Sequence, residues 1–312
     1  MRIKDNVKDY LPDTYADAKV SVFPFHKIGN TYTALTVKLS DDSATPAVNL
    51  DELYKDYMEG LSLDEVGERM SEIAREMLSG MVTERAKYVI SSYESIKENL
   101  FVRLCNAEEN KEFLRTVPHK RIEDLAVTYS INFGGDGNNL LSATITDKIV
   151  EKLHIDTEQL HQDAIENSSK MMPARVGKVS SMLGYSDDYS AGDGPYIITN
   201  QVGINGASAI MYPGVLDALY EKMGEGFYVC PSSQHELIIV PDSAGSNENL
   251  SQIVKNINDA MVPEKDFLSN NVYHYDGKKF ELAEKFEQRM QENTEMIFQN
   301  DADFGPSYRM RM

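Results

Sequence analysis

Cys230, Ser232, Ser233 and His235 bring a thiol, two hydroxyls and an imidazole into one short stretch, Cys230-Pro231-Ser232-Ser233-Gln234-His235. A thiol or hydroxyl becomes a nucleophile when a neighbouring base takes its proton, and a turn here could bring the imidazole close to either. The chemistry would be hydrolysis. Cys230, however, continues the apolar run Phe227-Tyr228-Val229, where a free cysteine behaves as a small buried hydrophobe. No third residue that would orient the base stands out in the sequence. Pro231-Ser232-Ser233 also reads as turn chemistry, with hydroxyls replacing backbone bonds that leave the strand ladder. On that reading His235 starts a strand as an exposed imidazole available to a partner, and His235→Ala changes stability by no more than about 0.5 kcal/mol while weakening partner binding; a large loss of stability would instead mark a structural histidine.

The other chemistry-bearing stretches are weaker. Residues 154–163 hold His154 and His161 among acids, but the two histidines fall in different expected helices, and no HExxH or paired-cysteine spacing accompanies them. Gly203-Ile204-Asn205-Gly206 and the run 134–139 lack the spacing of phosphate loops and read as turns. No metal and no cofactor is called for.

The elements that hold the candidate stretch follow one another with little slack. Residues 196–200 read as a strand and residues 207–212 as a second. Pro213 then opens a helix that Gly224 closes. Residues 227–230 and 236–240 are two more strands around the 231–235 link. Further along, 248–262 is an amphipathic helix, Asp276-Gly277 joins a hairpin, and 283–298 is a charged helix.

The chain opens with a hairpin, residues 20–25 and 32–37, joined through Gly29-Asn30, with Pro24 marking an edge strand. Residues 50–58 form a helix. Ser62 and Glu65 then form a capping box for a longer one with Val66, Met70, Ile73 and Met77 on its apolar stripe. Strands at 100–105 and 125–133, a glycine-rich turn at 134–139 into 140–146, and helices capped near Thr146 and Asp156 follow. The polar, glycine-rich stretch 171–194 reads as a linker. The expected fold is α+β, with antiparallel or mixed sheets covered by helices in two sub-domains: 1–185, then 186–300, with 301–312 as a flexible tail.

Fifty Asp and Glu against 31 Lys and Arg give a net charge of −19, which repels phosphate backbones and argues against direct nucleic-acid binding. No apolar run spans a bilayer and no signal peptide is visible. Two cysteines, far apart, suit a reducing compartment, so the expected location is the cytoplasm.

Gly206-Ala207 with Tyr212-Pro213-Gly214-Val215-Leu216, Pro231-Ser232-Ser233 with His235-Glu236, and Val117-Pro118-His119 together resemble a bacterial family, domain of unknown function fifty-six eighty-eight. The likeness runs roughly from Tyr10 to Leu282. It implies an origin in anaerobic Gram-positive gut bacteria and carries no catalytic roles. The family pattern has an aliphatic residue where this chain has Cys230, which leaves Ser232, Ser233 and His235 as the polar cluster to test.

The leading expectation is therefore a non-enzymatic binding or regulatory protein with a protein partner. One alternative is a hydrolase using Cys230, Ser232, Ser233 and His235. Another is an acidic nucleic-acid mimic that inhibits a defence nuclease, with Asp41-Asp42 and Asp187-Asp188 among its carboxylates.

Overall fold

A computed structural model describes residues 8, 13, 16–38, 47–78, 89–134, 141–182 and 195–303. The fold is α+β with antiparallel sheets. The chain divides into two compact units, Met1–Lys120 with Thr128–Ser168, and Arg121–Val127 with Ser169–Met312. The expected turn within 134–139, the acidic pairs at 41–42 and 187–188, and the tail from 304 lie largely or wholly outside the described residues.

In the first unit, β1 (Lys19–Lys27) and β2 (Asn30–Lys38) pair from Lys19↔Lys38 to Lys27↔Asn30. Gly29, at φ +67°, makes the tight reversal that residues with a Cβ rarely adopt. β3 (Ala47–Asn49) pairs with the other side of β2, so β1 is an edge strand and tolerates Pro24. Asn49 caps α1 (Leu50–Met58) by accepting the Asp51 and Glu52 amides. The capping box of α2 (Leu63–Leu78) is present: the Ser62 N–H donates to Glu65 at 2.7 Å and the Glu65 N–H to Ser62 at 3.3 Å. Leu35, Val37, Leu53, Val66 and Met70 close the core beneath these helices.

A second sheet runs in the order β4 (Leu100–Asn106), β6 (Leu125–Gly134), β5 (His119–Ile122), with β7 (Leu141–Thr144) also on β6. Short helix α3 (Tyr93–Lys97) precedes β4, α4 (Lys111–Leu114) connects β4 to β5, and α5 (Asp147–Leu153) follows β7. The sheet is followed by α6 (Thr157–Met171). Buried Ser168 on α6 accepts the Val102 N–H at 2.9 Å and donates to the Ala164 carbonyl, so its hydroxyl is fully used.

The second unit carries a six-stranded antiparallel sheet, ordered β13-β12-β10-β11-β9-β8. Its strands are β8 (Ala174–Lys178), β9 (Tyr196–Asn200), β10 (Phe227–Ser233), β11 (Glu236–Pro241), β12 (Tyr273–Tyr275) and β13 (Phe280–Leu282). Two expectations are corrected here. Ala174–Lys178, read as linker, is an edge strand registered on β9 and leads into α7 (Val179–Met182). Edge strands tolerate polar residues because one side has no partner, which hides them from period-2 patterns. Residues 207–212, read as a strand, form a buried 3-10 helix, Gly206–Met211. A short run that is apolar on every side fits either state, and only its packing decides.

α8 (Val215–Met223) starts after Gly214 and ends at Gly224, both in the left-handed region. α9 (Asn247–Met261) and α10 (Ala283–Asp303) follow, and α10 takes in the first residues of the expected tail. Leu250 and Val254 of α9 pack with Tyr228, Cys230 and Val240. The segment Arg121–Val127 is tied to this unit by Asp124, which accepts from Ser269, Asn271 and the Tyr273 hydroxyl. Among the described residues no helix is long and apolar enough to cross a membrane.

Candidate functional site

β10 and β11 pair in register from Phe227↔Pro241 to Pro231↔Leu237, then shift by a bulge to Ser233↔Glu236. Pro231 has no N–H to give the ladder, and a bulge is where a strand accommodates that loss. The link between the strands is accordingly shorter than the sequence suggests: Gln234 and His235 alone form the turn. Ser233 behaves as turn chemistry requires, its Oγ accepting the His235 N–H at 3.0 Å. Ser232 is half-buried beside it.

The turn is clamped from two sides. Asn200, at the end of β9, folds the next residues back by accepting the Val202 and Gly203 amides and donating to the Ile204 carbonyl. Asn205 then adopts φ +53°, a left-handed conformation that asparagine tolerates better than most residues. This brings the Asn205 N–H to within 3.2 Å of His235 Nδ1, and the Ala207 N–H to the Gln234 carbonyl. Thr199 Oγ1 donates to the His235 carbonyl at 2.8 Å. On the other side, Asp266 Oδ1 receives both Gln234 Nε2 at 2.9 Å and His235 Nε2 at 3.2 Å.

A backbone amide can only donate, so Nδ1 of His235 is the acceptor and the ring proton sits on Nε2, directed at Asp266. Both ring nitrogens are occupied by groups other than Cys230, Ser232 or Ser233. The imidazole side chain retains 36% exposure, yet it is fixed in rotamer and tautomer. Cys230 lies in the sheet within an apolar cluster, and burial pushes its thiol up to about 12. Thiol, hydroxyls and imidazole are therefore neighbours in sequence that the structure does not join into a nucleophile and its base.

The other histidines singled out separate as well. His154 ends α5 at φ +50°, while His161 lies on α6, bonded through Nδ1 to the Tyr129 hydroxyl at 3.0 Å. Burial first, and Lys120 second, hold the His161 pKa below its usual value. His119 bonds through Nδ1 to the Val117 carbonyl. Among the described residues no three His, Cys, Asp or Glu side chains converge as metal ligands would.

Asp266 and Asn205 are the members of the clamp that sequence reading missed. Asp266 lies in the 3-10 turn Glu264–Asp266, far along the chain from His235, with no periodicity linking the two. The positive-φ signal at Asn205 was legible only as part of a turn. A buried histidine also escaped notice. His274 on β12 is 1% exposed, bonds Asp242 through Nε2 at 2.8 Å and stacks on Phe286 at 3.6 Å between ring centroids.

No curated protein and no solved structure matched the chain. The motif residues Gly206, Ala207, Ser233, His235 and Glu236, separated in sequence, meet at this one clamped hairpin tip. A family profile spans residues 1–277, and the chain belongs to that family, a family of unknown function (DUF5688).

Proposed function

We propose that the protein is a non-enzymatic, cytoplasmic binding or regulatory protein that recognises a protein partner through the β10–β11 tip. The observation that carries this reading is the state of His235, whose ring is held by Asn205 on one nitrogen and Asp266 on the other. A polar surface group already fixed in one geometry costs little entropy to present, and preorganisation of that kind is what binding surfaces use. The same two bonds leave no ring nitrogen to take a proton from a nucleophile.

Neighbouring features support a protein rather than a nucleic acid as the partner. Glu236 is half-exposed beside the turn, and Met261, shortly before the Glu264–Asp266 turn, is 78% exposed. Exposed apolar groups together with fixed polar ones are the composition of a protein-binding surface. A net charge of −19 disfavours a phosphate backbone. Both cysteines are free and buried, in keeping with a reducing compartment.

The test is affinity capture from the native host with wild type, Glu236→Arg and Met261→Asp, after thermal melts show the variants folded. One protein recovered by wild type and lost from both variants supports the reading. No reproducible partner, or a partner retained equally by both variants, contradicts it.

A further inference from the structure

The first unit contains a cleft of about 290 Å³ where the β1–β2 turn, β3, α1 and α2 meet. That volume is at the small end of metabolite pockets, about 300–1,000 Å³. Among the described residues four charged side chains line it: Lys27, Glu52, Asp56 and Arg69. Arg69 and Asp56 satisfy one another, with 3.1 Å between them. Lys27 and Glu52 make no ion pair among the described residues, although each feels the other's charge. Among the described residues the cleft thus offers one cation and one anion that are outside any ion pair.

Lys27 is set by its surroundings. Its Nζ lies over the ring faces of Phe25 and Tyr32, at 5.9 and 5.4 Å from the centroids. The side chain as a whole is exposed, but its nitrogen is partly desolvated, and that desolvation, with Arg103 nearby, holds its pKa below the usual lysine value. An ammonium short of water and of a counter-ion gains from a carboxylate brought to it. Val48 and Leu53 supply apolar wall to the cleft.

We propose that this cleft binds a small zwitterion, an α-amino acid with an apolar side chain, its carboxylate on Lys27, its ammonium on Glu52 and its side chain against Val48 and Leu53. Neither charge alone would select this class. A lone lysine would take any small anion, whereas the pair demands both ends.

Calorimetric titration of the full chain with L-leucine, L-leucinamide and N-acetyl-L-leucine tests this directly. L-leucine should bind with a Kd below about 1 mM. The amide lacks the carboxylate and the acetyl derivative lacks the ammonium, so each should bind at least about tenfold more weakly. Lys27→Met and Glu52→Gln should each lose binding to the same extent while keeping the wild-type melting temperature. Absence of L-leucine binding, or equal binding of either analogue to wild type, overturns the proposal. The analogue comparison uses wild-type protein and so holds even if a variant folds poorly.

Discussion

A Cβ on Gly206 would lie 2.4 Å from the carbonyl oxygen of His235, so the Asn205 loop and the β10–β11 tip approach too closely to admit a side chain between them. The same added atom would lie 2.1 Å from Thr199 Oγ1 and 2.8 Å from the Asn200 amide nitrogen. Thr199 itself donates to that His235 carbonyl, so the glycine is enclosed by the bonds that hold the turn. Gly206 is therefore dictated by proximity and not by backbone angle.

Gly206→Ala should cost about 3 kcal/mol, because backbone on two sides cannot yield as a flexible side chain would. Gly203 is the control. It has open space around its missing Cβ but sits at φ +75°, so Gly203→Ala should cost only about 1 kcal/mol. Urea unfolding of the two variants gives the comparison, and equal losses would refute the close approach.

His235→Ala should destabilise the protein by about 2 kcal/mol, well above the change expected of an exposed residue. Asn205 is 5% exposed, and its N–H would lose the His235 Nδ1 that accepts it. Asp266 would keep Gln234 as a donor, so the loss falls chiefly on the Asn205 side. A change within about 0.5 kcal/mol would mean that the two ring bonds contribute nothing net.

Alkaline pH should weaken the fold through its cysteines. Burial raises the thiols of Cys105 and Cys230 from 9.0 to about 12. Below 9.0 both folded and unfolded chains keep these protons, and the contribution is fully present. Between 9.0 and about 12 the unfolded chain releases them first, so it binds fewer protons and stability falls as pH rises. Each thiol adds a slope of up to about 1.4 kcal/mol per pH unit. Stability measured at successive alkaline pH values should decline less steeply in Cys230→Ala than in wild type, and identical slopes would contradict the burial argument.

What was legible in the sequence was local. The helix over 50–58, the Ser62–Glu65 capping box and the Gly224 end of α8 each announce themselves within a few residues, because caps and positive-φ turns are satisfied by near neighbours, although α8 starts after Gly214 and not at Pro213. The strand at Tyr196–Asn200 was readable from its aromatic and β-branched run. What escaped depends on distant packing. Gly206–Met211 is helical because its small residues are enclosed on all sides, and Ala174–Lys178 is a strand because β9 offers it an edge. At the candidate site, Ser232, Ser233 and His235 could be picked out, but the clamp could not. Its decisive partners, Asn205 and Asp266, reach His235 only through the fold.

The central claim is that His235 is a locked element of the hairpin tip and not a proton acceptor for a nucleophile. Long-range proton–nitrogen NMR of protein carrying ¹⁵N-histidine measures this most directly, with the His235 signals assigned by their loss in His235→Gln. The predicted result is a single Nε2–H tautomer at neutral pH, its Nδ1 bare and accepting a hydrogen bond. An Nδ1–H tautomer, or exchange averaging between the two, would contradict the account.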